Sequence, residues 1–105
     1  MYSFRHLIEQ KDFCLPILKA LNELGGRASV SEVTIHVENQ LKDILSNFDR
    51  EWLENGKDIR WKKSMKWERF RLIKMGYVSS NSPRGIWEIT EKGKEYLNNN
   101  TGNNK

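Results

Sequence analysis

The chain has 105 residues, 37% of them hydrophobic, with a net charge of +4, a pI near 9.3 and a single cysteine. That length suits one small domain with one modest core, in which the aromatic residues, four of them tryptophans, must supply much of the burial. The lone Cys14 excludes an internal disulfide framework and fits a reducing, cytoplasmic setting; no apolar run reaches the ~20 residues of a membrane span, and MYSFRHLIEQKDF holds no signal-peptide core, so no membrane partner is expected.

Residues 1–12 read as an N-terminal extension, with Ser3 placed to cap a short helix carrying Phe4, Leu7 and Ile8, either a strap over the core or a dimerising arm. From Asp12 to Leu24 the apolar positions Leu15, Leu18, Leu21 and Leu24, with Ile17 and Ala20, recur at helical spacing. Asp12 reads as the N-cap, Pro16 falls in the tolerant first turn, and Gly25-Gly26 supplies the stop. Arg27-Ala28 is too short for an independent strand and suits an edge that pairs with a later hairpin. Ser29 or Ser31 starts a second helix. Ser29 and Glu32 have capping-box spacing, and Val30, Val33, Val37, Leu41 and Ile44 form a stripe. Residues 45–58 lose this periodicity and carry Asp49, Glu51, Glu54 and Asp58, with Asn55-Gly56 as a turn; Phe48, Trp52 and Leu53 are expected to pack only in part.

Charge then changes sign. Between Lys57 and Lys74 there are eight basic residues and two acidic ones, a surplus of six, while the rest of the chain is net negative by two. Large apolar residues are interleaved with them, so the stretch reads as a packed helix from about Ile59 to Met75, closed by Gly76, with a cationic exposed side. At about 100° per residue two apolar stripes emerge. One holds Trp61, Met65, Leu72 and Met75, the other Trp67, Phe70 and Ile73; the first has more members and is expected to face the core. The ring-bearing residues Trp61, Trp67, Phe70 and Trp87 are expected in the core rather than stacked on bases.

Tyr77–Ser80 and Gly85–Ile89 flank a turn rich in Asn, Ser and Pro, a hairpin pattern, with Trp87 and Ile89 on one face and Ile86 and Glu88 on the other. Thr90 caps a last helix from Glu91 to about Leu97, and the Asn-rich residues 98–105 are expected to be a disordered tail. The fold class implied is α+β, mostly α: a winged helix-turn-helix over residues 13–97, with three helices, a small antiparallel sheet of two to three strands and a closing C-terminal helix. In that order of elements the third helix is narrow enough for a major groove and the hairpin lies beside it. The third helix is also the basic one. Lys62, Lys63 and Lys66 fall in its N-terminal half, where bases and phosphates are met; Arg60 and Arg69 are placed to fork onto guanine, and Arg84 sits at the hairpin tip.

LPILKALNELGGRASVSEV together with KWERFRLIKMGYVSSNSPRGIWEITEKGKEYL resembles the N-terminal winged-helix domain of Mrr-type restriction endonucleases. Leu15, Leu18, Leu21, Gly25, Gly26, Ala28, Trp67, Arg69, Leu72, Gly76, Gly85, Trp87, Ile89, Thr90 and Gly93 carry the resemblance. It implies a DNA-targeting unit that in the family is joined to a separate nuclease domain. No such domain follows Leu97 in this sequence, so DNA binding is expected without cleavage, by a regulator or by a targeting module with a separate nuclease subunit.

Catalytic patterns do not assemble. His6 and His36 lack ligand-spaced partners, Cys14 suits a buried thiol, and no nucleophilic triad, phosphate loop or carboxylate pair can be placed, so neither an enzyme nor a cofactor or metal is expected. The expected partner is double-stranded DNA, with homodimerisation open. The rival expectation is a protein-interaction winged helix, favoured by the double apolar stripe and by the acidic loop that could screen the basic helix.

Overall fold

The computed structural model describes residues 8–101. The helix expected from Ser3 lies outside them apart from Ile8, which packs against the core, and so do the last residues of the expected tail. A 3₁₀ turn over Gln10–Phe13 leads into α1 (Cys14–Glu23), β1 (Arg27–Ser29), α2 (Val30–Leu41), α3 (Arg60–Lys74), β2 (Ile86–Glu88) and α4 (Glu91–Asn100). This is an α+β, mostly helical, winged-helix-like arrangement.

The helices begin where local chemistry satisfies their first N–H groups. Asp12 does not cap α1: its carboxylate accepts the Glu9 N–H at 2.8 Å inside the 3₁₀ turn, and the turn runs straight into the helix, so the N-cap is Phe13. Ser29 does cap α2, accepting from the Glu32 N–H at 3.1 Å while Glu32 accepts the Ser29 N–H at 3.0 Å. Val33 and Val37 of its stripe are fully buried. The stripe does not reach Ile44, because the helix stops at Leu41 and the following turn swings Leu45 into the core and leaves Ile44 exposed.

β2 is the middle of the small sheet. It pairs antiparallel with β1, Ala28 opposite Trp87, which fulfils the expectation that Arg27-Ala28 finds a later strand. Its other edge meets residues 77–79 through a Val78–Ile89 bridge, and the Ser79 N–H donates to the Glu88 carbonyl at 2.8 Å. The first arm of the expected hairpin is therefore one bridge rather than a full strand. Trp87 and Ile89 are buried, as the alternation requires.

Two glycines, Gly76 after α3 and Gly93 in α4, shape the junction of α3, the sheet and α4. Gly76 has φ +84, and it lets the Gly76 and Tyr77 N–H groups fold back onto the carbonyls of Ile73 at 3.0 Å and Leu72 at 2.9 Å. Thr90 then bonds both ways, donating to the Gly76 carbonyl at 2.6 Å and accepting the Gly93 N–H at 3.0 Å as the N-cap of α4. A Cβ on Gly93 would collide with the Tyr77 carbonyl oxygen and lie 2.8 Å from Ile89, so α4 can sit against that backbone only through a glycine. α4 continues to Asn100, past the expected end at Leu97 and into the segment expected to be disordered.

On its inner side α3 buries Trp61, Met65 and Leu72, the stripe expected to face the core; Met75 is only half-buried. Phe13 stacks on Trp61 with ring centroids 6.2 Å apart. Glu68 is fully buried among them. Arg71 holds it with two nitrogens, at 2.6 Å from Nη2 and 2.9 Å from Nε, and the Gln10 amide donates to it at 3.2 Å. Both partners satisfy a carboxylate that would be costly to bury alone, and they fasten α3 to the 3₁₀ turn.

Candidate nucleic-acid interface

The segment between α2 and α3 builds the entry to the basic helix. No side chain caps α3. The Arg60 N–H instead donates to the Glu51 carbonyl at 2.9 Å and the Trp61 N–H to the Asp49 carbonyl at 3.0 Å. Asp49 is itself buried and accepts from the Ser46 N–H at 2.8 Å and the Ser46 hydroxyl at 2.9 Å. These two backbone amides are thereby spent inside the protein, so an anion approaching α3 does not meet the N–H groups of Arg60 and Trp61.

The cations expected to act together divide into groups. Seen down the axis of α3, Lys63, Lys66, Trp67, Phe70 and Lys74 lie opposite the buried Trp61, Met65, Glu68 and Leu72. Lys62 flanks them on the side of α2, where it and Lys66 line a cleft with Ser31, Thr34 and Ile35. Lys66 pairs with Asp58 at 3.2 Å, whereas Lys62, Lys63 and Lys74 make no ion pair among the described residues.

Arg60 points the other way. Its guanidinium lies 4.1 Å over the Phe48 ring, donates to the Phe48 carbonyl at 3.2 Å and reaches Glu51 at 3.7 Å, so it ties the loop to the helix. Arg69 lies on the sheet side, 5.4 Å over Trp87 and 5.9 Å over Phe70. Its Nε is buried without a hydrogen-bond partner among the described residues, and burial pushes the guanidinium below its ordinary value. Arg84 is exposed at the tip of the turn before β2. That turn is held to α2 by the Val30 N–H, which donates to the Gly85 carbonyl at 3.0 Å.

The Mrr N-terminal domain family matches this chain over residues 11–99. The chain belongs to that family. Comparison with curated proteins and with solved structures yields no match.

Within this Mrr N-terminal domain, the sequence reading missed the exposed rings of α3 and the place of Lys74 beside them. Trp67 and Phe70, expected in the core, are 52% and 53% exposed, and their ring centroids are 5.6 Å apart. The second apolar stripe thus splits: Ile73 packs against the core and the two rings do not. A helix with one buried side cannot bury two stripes unless a second element covers it, and the neighbouring α2–α3 segment is occupied capping the N-terminus of α3. Asp58 does what the acidic loop was expected to do, screening the basic helix at Lys66. Its carboxylate lines both the cleft beside α2 and a second cleft with Lys63, Lys66, Trp67 and Phe70, placing one negative charge among three lysines. Lys74 completes the outward row. Helical periodicity alone would have placed Lys74 with Lys63; the larger membership of the first stripe marked the inner side, but not how much of the second stays wet.

Proposed function

We propose that this domain binds double-stranded DNA, with the outward face of α3 in the major groove and the turn carrying Arg84 against the backbone or the minor groove. Membership of the Mrr N-terminal domain family supports the reading. The observation that carries it is the outward side of α3, where Lys62, Lys63 and Lys74 have no ion-pair partner among the described residues and Asp58 is paired with Lys66. Unneutralised cations on one convex helix match a row of phosphates. Lys62, Lys63, Lys66 and Arg84 are assigned to DNA contact. Arg60 and Arg69 orient the loop and the sheet around the helix and reach the ligand from its margins. The domain serves as a targeting unit of a restriction system.

The test is a salt titration with duplex DNA. The logarithm of the binding constant should fall linearly with the logarithm of salt, with a slope of about −0.9 for each neutralised phosphate. Lys63→Glu or Lys66→Glu should weaken binding roughly fivefold to tenfold, and Lys42→Glu at the end of α2 should change it far less. A flat salt response, or no complex at low salt, ends the reading. A second reading, a protein-interaction domain, is favoured by the exposed Trp67–Phe70 pair; a dimer in sedimentation that is lost on Trp67→Ala would establish it.

A further inference from the structure

The exposed rings of α3 stand in the middle of the face assigned above to DNA, and that assignment does not explain them. Trp67 and Phe70 are each about half exposed, tilted 52° to one another, and bordered by Lys63, Lys66 and Lys74. Apolar rings bordered by cations, of which Lys63 and Lys74 make no ion pair among the described residues, suit a ligand that is both anionic and aromatic. Intact duplex offers the charge but little of the rest. The floor of its major groove is a row of polar base edges, and covering those with an indole desolvates them without replacing their hydrogen bonds. The apolar faces of the bases are hidden in the stack.

We propose that Trp67 and Phe70 are the specificity-determining residues of this domain and that they stack on unpaired bases, so that its preferred ligand is DNA with a bulge, mismatch or opened step flanked by duplex. This rests on the DNA-binding reading. The tilt between the rings gives each its own base, and the lysines on either side take the neighbouring phosphates. Stacking a base on an aromatic ring strengthens binding by roughly tenfold, and unstacking a paired step costs at least about as much. In perfect duplex the two effects cancel. Where the base is already free, only the gain remains.

The experiment is fluorescence anisotropy of the full chain, at one salt concentration, with a labelled perfect duplex and the same duplex carrying a central two-nucleotide bulge. The wild type is expected to bind the bulged DNA about tenfold tighter or more. Trp67→Ala and Phe70→Ala are expected to bring the bulged DNA down to the affinity of the perfect duplex, with little change in the latter, and Trp67→Phe to retain most of the preference. Both side chains are exposed, so thermal melting should show the variants folded. Equal binding of the two DNAs by the wild type overturns the proposal while leaving DNA binding intact. Equal losses on both DNAs in the ring variants overturn it too, as does self-association that depends on the rings and is displaced by DNA. No binding to either DNA removes it together with the reading beneath it.

Discussion

Cys14 shows how far one side chain can be set by its surroundings. It is buried at the start of α1, close to the carboxylate of Glu68, and burial first and that negative charge second push its thiol from an ordinary value near 9 up to about 11, with Arg71 opposing. The protonated thiol is the form that the folded protein favours. Its contribution to stability is therefore complete below about pH 9 and is lost as the pH rises through about 11. At pH 8 the folded chain should react with Ellman's reagent roughly a hundredfold more slowly than the denatured chain, on thiolate fraction alone. Equal rates in the two states would show that the thiol is neither buried nor perturbed. Glu68 belongs to the same cluster: a fully buried carboxylate on the basic helix is there to fix α3 through Arg71 and Gln10, and it leaves the outward charge unchanged.

Among the elements, the junction of α3, β2 and α4 is the most tightly determined. Thr90 bonds to Gly76 and to Gly93 at once, and Gly93 lets α4 touch the Tyr77 backbone. Gly93→Ala introduces a methyl into that contact, and the neighbour it meets is main chain, which cannot rotate away. The expected cost is about 2 kcal/mol, or roughly 10 °C in Tm for a domain of this size. Glu95→Ala, on the exposed side of α4, should stay within about 0.5 kcal/mol. Thermal melts of the two variants decide it, and a Gly93→Ala protein as stable as the parent would mean that α4 is free to move off the sheet. The same junction orients β2, whose Trp87 receives Arg69, so its loss should also disturb one border of the proposed DNA-binding face.

For the molecule as a whole, the loop between α2 and α3 is the element that couples structure to affinity. It caps α3 through Glu51 and Asp49, holds Arg60 over Phe48, and sets Asp58 among Lys62, Lys63 and Lys66. A carboxylate in that position takes the place of a phosphate oxygen at Lys66, 3.2 Å away. In the proposed complex, DNA must displace it. The pair is partly exposed, so its intrinsic strength is small, about 1 kcal/mol or less. Asp58→Asn should accordingly leave the melting temperature nearly unchanged, tighten duplex binding severalfold and steepen the salt slope by close to one cation. Binding that weakens on this substitution would mean that Asp58 is a ligand contact and not a competitor.

Most of the fold was legible along the chain because it rests on local rules. The Ser29–Glu32 box, the Gly76 stop, the Thr90 cap and the alternation through Trp87 and Ile89 all act over a few residues and recur as expected. The family pattern follows the same positions, many of which make the sheet and its junctions. The surplus of positive charge on α3 was equally plain. What the order of residues left open was which side of α3 stays in water. Two stripes of similar size compete for one core, and the choice depends on where the 3₁₀ turn and the α2–α3 loop come to rest, contacts spanning many residues. Packing gave the inner place to Trp61, Met65 and Leu72 and kept Trp67 and Phe70 outside. It also turned Arg60 and Arg69 toward the rings of Phe48 and Trp87, because a guanidinium that finds an aromatic face and a nearby carbonyl or carboxylate is held there. Composition put the positive charge on this helix; only the long-range packing decided which cations and which rings a ligand can touch.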